Sequence, residues 1–240
     1  CLKDLVSYDV KHNQMNGESN RDGTNGNHSF NHGFEGSGST PEIAAQRRKA
    51  ARNLMATLLF SSGIPMVTAG DERLKTQNGN NNAYCQDTVM SWVNWELSRH
   101  QRDFEETFAH LTKLRRENPV LRPKTFGDFN EANEDHDMIR WFNSQGDIMG
   151  EENWHDSECR TIQRYSERLE SDGSRSAILL LIHGAEKVQE VTLPSQDGVL
   201  RYELLWNSAF DQPNEEIETV LPGAKTLVSG TSIQVFRCNF

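Results

Sequence analysis

The hydrophobic positions between residues 40 and 60 recur with the period of an α-helix. Five apolar side chains fall on one face of such a helix: Ala51, Leu54, Met55, Leu58 and Leu59. Thr40 is a good N-terminal cap, and Pro41 suits the first helical position because its missing N–H is not needed there. Gly63, with a proline two residues later, is typical of a helix end. The pattern predicts a helix that begins at Pro41 and ends near Gly63.

A short apolar run follows at residues 64–69, interrupted only by Thr68. Because apolar and polar residues do not alternate in this run, it is typical of a parallel strand covered on both faces. The run stops at Gly70, Asp71 and Glu72, where polar residues meet the carboxyl end of the predicted strand. Helix, buried strand and polar loop in this order predict part of an α/β barrel or of a doubly wound sheet. One such strand lacks neighbours, so we expect Leu54, Met55, Leu58 and Leu59 to face water unless another chain covers them.

A second helix is predicted at residues 98–117, where four apolar side chains share a face: Phe104, Phe108, Leu111 and Leu114. Asn118 and Pro119 end it. After Pro123 the pattern changes to short strands separated by turn residues, at residues 138–142, 177–182, 188–193, 202–206 and 232–236. No helix is expected there, and the second half is predicted to be an antiparallel β-sandwich. We place the boundary near residues 119–125, giving domains 1–120 and 121–240.

The charge balance and the cysteines narrow the class of protein. With 35 acidic and 25 basic residues, the formal net charge of −10 argues against a nucleic-acid-binding surface. The longest aliphatic run, at residues 177–182, is too short to cross a membrane. The four cysteines are scattered without a CxxC pair, so we expect reduced thiols and a cytoplasmic location. The chain begins without methionine or a signal peptide, which indicates a piece of a longer protein.

Several groups of polar residues are candidates for chemistry. Asp71 and Glu72 are adjacent on a predicted strand, so their side chains point to opposite faces and do not form the opposed carboxylate pair of a glycosidase. His28 and His32 are four residues apart, but the surrounding asparagines and glycines predict a loop, which disfavours a metal site. The run Trp154-His155-Asp156 lacks a supporting nucleophile motif, which favours a structural turn. We expect neither a metal nor another cofactor.

The asparagine-rich segment at residues 78–87 (NGNNNAYCQD) allows two interpretations from its residues alone. Asparagines tolerate the left-handed conformation and often form turns, with Tyr84 packed beneath. Alternatively, carboxamides match the donors and acceptors of sugar hydroxyls, while an aromatic face covers the C–H side of a sugar ring. Both interpretations remain open at this level.

Eight short motifs occur in a fixed order that identifies a family. They are residues 5–8 (LVSY), 11–13 (KHN), 16–18 (NGE), 20–24 (NRDGT), 33–36 (GFEG), 63–66 (GIPM), 69–72 (AGDE) and 80–87 (NNNAYCQD). In this order they resemble the carboxyl-terminal part of bacterial glycogen debranching enzymes of the isoamylase type, within the α-amylase superfamily. The resemblance covers essentially the whole chain and is most specific in residues 2–96. The chain departs from the family's usual pattern at Phe30 and His32.

The resemblance implies the C-terminal portion of a TIM (β/α)8 barrel followed by an antiparallel β-sandwich. It implies a retaining hydrolase of α-1,6 branch linkages in glycogen or limit dextrins. The family's catalytic carboxylates precede the region that this chain resembles. We therefore expect no catalytic residue in the chain, and we expect the isolated chain to be inactive.

The resemblance also implies which residues contact a branched α-glucan. They lie in the loops at residues 12–40 and 78–87, and they are Arg21, Asp22, Asn81, Asn82, Tyr84 and Asp87. The other expected partner is the missing N-terminal part of the barrel, and neither nucleic acid nor membrane is expected. The alternative interpretation is a non-catalytic module whose sandwich binds carbohydrate or docks on the barrel.

Overall fold

The structure, a computed structural model, describes residues 1–123, 137–213 and 218–240. The predicted boundary at residues 119–125 falls partly outside this range, because its last two positions are not among the described residues. Within the described part the α-helices are α1 (Leu2–Leu5), α2 (Pro41–Phe60), α3 (Arg99–Glu117) and α4 (Glu151–His155). No helix there is both long and apolar enough to span a membrane.

Helix α2 begins at the predicted residue and ends three residues earlier than predicted. The Thr40 hydroxyl accepts a hydrogen bond from the Ile43 N–H at 3.4 Å, which is the expected N-terminal cap. At the other end, the Arg115 guanidinium donates to the carbonyl oxygens of Ser61 at 3.2 Å and Gly63 at 2.6 Å. It also donates to the carbonyl oxygen of Leu59. One cation thus binds carbonyls that lack a helical partner, and it fixes the end of the helix.

The predicted buried strand at residues 64–69 is wrong. These residues form no strand, and the side chains of Ile64 and Met66 are 93% and 85% exposed. A strand requires a neighbouring strand for its backbone hydrogen bonds, and the described residues supply none for this segment. The expectation for α2 was half right, since Leu54 and Leu58 are exposed whereas Met55 and Leu59 are buried.

The second half of the chain contains eight strands in the described residues. They are β1 (Met138–Phe142), β2 (Thr161–Leu169), β3 (Arg175–His183), β4 (Gln189–Thr192), β5 (Arg201–Asn207), β6 (Thr219–Val220), β7 (Lys225–Val228) and β8 (Ser232–Asn239). One sheet has the order β1-β2-β3-β8-β5-β6, and β4 pairs with β7 in a second sheet. All these pairings are antiparallel.

The core of this half lies between the two sheets. Side chains of the large sheet, such as Tyr165, Leu179 and Phe236, share one buried cluster with Val191 and Val228 of the small sheet. An apolar cluster that draws on the facing sides of two sheets defines a sandwich. The predicted antiparallel β-sandwich is therefore confirmed. Strands β2, β6 and β7 were not predicted, and neither was the short helix α4, where a turn was expected.

The chain divides into two compact units. The first unit comprises residues 1–55 and 66–109, and the second comprises residues 56–65 and 110–240. The two units are defined by contacts within this chain alone, so they do not test whether residues 1–120 belong to a barrel domain. The loops with the predicted binding residues lie in the first unit, and the sandwich lies in the second.

Candidate functional site

Two polar loops of the first unit are joined by asparagine side chains. We call residues 12–40 the long loop and residues 78–87 the asparagine loop. Asn13 of the long loop donates to Asn81 Oδ1 at 2.9 Å and accepts from the Asn81 N–H at 3.0 Å. Asn16 accepts from the Asn80 side chain at 2.7 Å. Carboxamides carry both donors and acceptors, so a few of them connect the two loops in both directions.

Asp22 is the charged centre of this amide network. One of its oxygens, Oδ2, accepts hydrogen bonds from Asn16 Nδ2 at 2.7 Å and from Asn82 Nδ2 at 2.8 Å. These two donors hold the pKa of Asp22 below its ordinary value, because they stabilise the ionised form. The other oxygen, Oδ1, is buried and has no hydrogen-bond partner among the described residues. The network therefore contains a buried carboxylate oxygen whose hydrogen-bonding capacity is unused.

Asn81 is committed to holding the loops in place. Its Nδ2 donates to the Thr24 carbonyl oxygen at 2.9 Å and to Asn27 Oδ1 at 3.2 Å. Gly23 has a φ of +69°, and a Cβ atom there would lie 2.2 Å from Asn81 Oδ1. Only glycine fits this close approach, which explains a glycine directly after Asp22. Asn81 thus acts through the position it gives to the long loop.

Backbone contacts support the same junction. The Lys11 ammonium donates to the Asp22 carbonyl oxygen at 2.7 Å. The His12 N–H donates to the Gly79 carbonyl oxygen at 2.9 Å. Lys11 is only 9% exposed, so its charge is held against this backbone oxygen at the base of the loop. The long loop is consequently tied to the asparagine loop by both side-chain and main-chain groups.

The far end of the long loop folds around Glu35 and Arg47. Burial opposes the ionisation of Glu35, but hydrogen bonds from the Asn31 side chain, the Asp9 N–H and His12 outweigh it and lower the pKa of Glu35 to about 2. Arg47, on α2, donates to the carbonyl oxygens of Gly36 at 2.6 Å and Asn31 at 2.8 Å, and also to that of Phe34. An ordered carboxylate and an ordered guanidinium therefore fix a segment with little apolar content.

The structure brings three of the six predicted binding residues together and leaves three apart. Asp22, Asn81 and Asn82 belong to the amide network. Tyr84 is 87% exposed, which excludes the packed position expected of a tyrosine beneath a turn. Arg21 is exposed and donates from Nε to the Glu18 carbonyl oxygen at 3.1 Å. Asp87 is exposed and accepts from the Trp92 indole N–H at 2.7 Å.

Sequence reasoning missed Asn13 and Asn16 as members of the network. Both lie in motifs that the resemblance had marked, but a local pattern does not show that they contact residues about 65 positions later. It also missed Trp92 and Trp95, which are 56% and 77% exposed. The sequence showed two tryptophans three residues apart, but it did not show that both side chains are exposed.

The alternative chemical candidates have no clear support. Among residues 1–123, 137–213 and 218–240, no group of three or more His, Cys, Asp and Glu side chains is arranged to hold a metal ion. His32 packs against Phe30, with ring centroids 4.7 Å apart. His155 lies at the end of α4, where its Nδ1 is 2.9 Å from the Glu151 carbonyl oxygen. These contacts are those of structural residues.

Comparison with solved structures defines the class of fold. The chain superposes on the pullulanase of Bacillus acidopullulyticus with a TM-score of 0.58 at 17% identity, covering 83% of this chain and 21% of that protein. It superposes on type I pullulanase of Bacillus subtilis, solved with maltose, with a TM-score of 0.59 at 17% identity, covering 84% of this chain and 24% of that protein. At such identities the likeness shows a shared fold.

Sequence comparison gives a closer relationship. The chain is 39% identical over 193 residues to a glycogen debranching enzyme of Cronobacter sakazakii, and 38% identical over 201 residues to one of Enterobacter. It is 34% identical over 221 residues to that of Serratia proteamaculans. The chain is thus a homologue of the glycogen debranching enzymes, and the resemblance seen in its motifs is confirmed. It spans only 27%, 28% and 30% of these three relatives. No family model matches the chain.

Proposed function

We propose that the chain is part of a debranching enzyme that hydrolyses α-1,6-glucosidic branch linkages in glycogen or limit dextrins. The observation that carries the proposal is the 39% identity over 193 residues to the Cronobacter sakazakii glycogen debranching enzyme. The amide network supports it, since carboxamides and a carboxylate form the kind of surface that binds sugar hydroxyls. In this proposal residues 1–120 contribute the C-terminal portion of a (β/α)8 barrel, and residues 121–240 form the domain that follows.

The proposed role of the chain is to bind and position the glucan. A retaining glycosidase needs two carboxyl groups about 5 Å apart across the scissile bond, one as nucleophile and one as acid and base. We place both groups in the part of the protein that precedes this chain. Asp22 and Asn82 would then form the wall of the cleft, with Asn81 holding that wall in place and Tyr84, Arg21 and Asp87 at its exposed rim.

The proposed partner and the proposed compartment rest on the exposed apolar side chains and on the cysteines. The side chains of Ile64 and Met66 are exposed in the chain alone, and we propose that the missing part of the barrel covers this apolar surface. The partner is therefore the rest of the same barrel. All four cysteines are free thiols, which supports a reducing, cytoplasmic compartment.

A chimeric enzyme tests this function. The matched stretch of the Cronobacter sakazakii enzyme is replaced by the corresponding stretch of this chain, and release of reducing ends from glycogen limit dextrin is measured. We expect the chimera to debranch the dextrin and the isolated chain to release nothing. A chimera that has a cooperative thermal transition but does not cleave limit dextrin contradicts the proposal. Hydrolysis by the isolated chain contradicts the placement of the catalytic carboxylates.

A further inference from the structure

A short segment of the first unit carries three exposed aromatic side chains. Tyr84, Trp92 and Trp95 are 87%, 56% and 77% exposed. Leaving an indole in water forgoes the favourable free energy of its burial, so a segment with several exposed aromatic rings indicates a surface that something else covers. The segment also contains Val89, which is 81% exposed, and polar residues flank and interrupt it, with Asn80 to Asn82 before it and Asn94 within it.

Trp92 and Asp87 form a pair with unused hydrogen-bonding capacity. The Trp92 indole N–H donates to Asp87 Oδ1 at 2.7 Å. Asp87 Oδ2 has no hydrogen-bond partner in the described part of the chain. The backbone between them is a turn, in which the Ser91 and Trp92 N–H groups donate to the Thr88 carbonyl oxygen at 2.9 and 3.1 Å. An exposed aromatic face thus lies beside an exposed carboxylate oxygen, and a turn fixes both.

One face of the Trp95 ring contacts a guanidinium. The Arg73 guanidinium lies over its ring, 4.6 Å from the centroid. Arg73 is itself fixed, because its Nε and Nη2 donate to Glu105 Oε1 at 2.9 and 2.7 Å. A cation on one face of an indole orients the ring, and an exposure of 77% leaves the other face to solvent. The ring is therefore ordered before any ligand arrives, which lowers the entropic cost of binding.

We propose that Asp87, Trp92 and Trp95 form a binding surface for the linear α-1,4-linked chains of a branched glucan. The aromatic faces cover the C–H sides of glucose rings, and Asp87 Oδ2 accepts a hydrogen bond from a sugar hydroxyl at the edge of the Trp92 ring. The inference rests on the proposed function, which supplies the glucan, and it adds two tryptophans that the resemblance did not assign. An oligosaccharide fits this surface because one sugar ring offers both a C–H face for the indole and a hydroxyl donor for the carboxylate oxygen beside it.

Fluorine NMR of the chain labelled with 5-fluorotryptophan tests the surface directly. The sequence has five tryptophans, so single Trp-to-Phe variants assign every signal. The probe is maltoheptaose, a linear α-1,4-glucan. We expect the Trp92 and Trp95 signals to shift along one saturable curve. The Trp206 signal should not move, since this side chain is 0% exposed.

Single substitutions provide a second test of maltoheptaose binding. Trp92→Ala should weaken maltoheptaose binding at least tenfold, and Asp87→Asn should weaken it several-fold because the acceptor loses its charge. Trp154→Ala is the matched control, since Trp154 is 52% exposed and lies in the second unit. Its affinity should stay within twofold of the parent. Far-UV circular dichroism establishes that each variant is folded.

The outcomes separate this inference from the proposed function. Saturable binding without movement of the Trp92 and Trp95 signals overturns the inference and leaves the proposed function standing, because the glucan then binds elsewhere. No binding of maltoheptaose also overturns the inference, while the chimera decides the function independently. Concentration-dependent shifts of the two signals without sugar would assign the surface to a protein contact instead.

Discussion

Arg47 is the residue whose removal should most clearly loosen the long loop. Its guanidinium donates to three backbone carbonyl oxygens of that loop, those of Asn31, Phe34 and Gly36, and its side chain is buried. Arg47→Met keeps most of the apolar stem and removes all three donors. The perturbation therefore tests whether one cation on α2 holds a loop that has almost no hydrophobic core of its own.

The magnitude follows from the number and kind of contacts. A hydrogen bond to a charged group contributes about 1.5 to 3 kcal/mol, so three bonds at the low end give about 4.5 kcal/mol. Arg47 Nε is buried without a partner, and this unsatisfied donor offsets roughly 1 to 2 kcal/mol. The expected net loss is about 3 kcal/mol of local stability, which corresponds to roughly a hundredfold change in an opening equilibrium.

Amide hydrogen exchange measures this loss at two positions. The Phe30 N–H donates to the Leu5 carbonyl oxygen at 2.9 Å, and the Gly36 N–H donates to the Ser7 carbonyl oxygen at 2.8 Å, so both report opening of the loop. Arg47→Met should lower protection at both by about two orders of magnitude. Arg21→Met is the control, because Arg21 is exposed and makes a single backbone contact in the same loop. Protection that changes less than threefold in Arg47→Met, or equally in both variants, would refute the reasoning.

Three further predictions concern other charged contacts. The pKa of Glu35 is lowered to about 2, so its ionised form stabilises the fold above its ordinary pKa of 4.5, and that stability is lost as the pH falls from 4.5 towards 2. The contribution is discounted to about 1 kcal/mol because the side chain is 32% exposed to solvent. Glu35→Gln should therefore flatten the plot of unfolding free energy against pH in this range. Glu167 is 5% exposed and accepts two hydrogen bonds from Arg175 at 2.8 Å. Glu167→Gln should therefore lower the free energy of unfolding of the sandwich, measured in urea, by about 3 kcal/mol. An unchanged urea midpoint would argue against a structural role for this pair. Arg115→Met should expose the end of α2 and speed exchange of the Ser61 N–H at least tenfold, whereas Lys113→Met, which removes an exposed cation, should not.

Structural features were predictable from the sequence wherever a few neighbouring residues determine them. The start of α2 depends on Thr40, Pro41 and the dipole of the first turn, so the sequence located it to the residue. Strand β1 was predicted with its observed bounds, because apolar and β-branched residues between turn signals are sufficient. The two-sheet sandwich followed from the same short-range pattern.

Features that depend on distant partners were not predictable. Strand β2 was missed because polar residues occupy both of its faces. The side-chain nitrogen of the buried Gln163 donates to the carbonyl oxygens of Asn143 and Thr192, which lie 20 and 29 residues away in the sequence. The segment at residues 64–69 was wrongly assigned because its own residues do not reveal whether a neighbouring strand exists. In the candidate site, the identities of Asp22, Asn81 and Asn82 were available from the motifs. Their hydrogen bonds to Asn13 and Asn16 required the folded chain.

The amide network also has a chemical lifetime. Asn16 directly precedes Gly17, and glycine gives its backbone nitrogen the freedom to attack the preceding side-chain amide, which converts asparagine to aspartate through a cyclic imide. Such ageing at Asn16 would replace the amide that donates to Asp22 Oδ2 at 2.7 Å by a second carboxylate. Two like charges would then face each other at the junction of the loops. Spontaneous deamidation at this one position would therefore open the loop junction without any change in the gene.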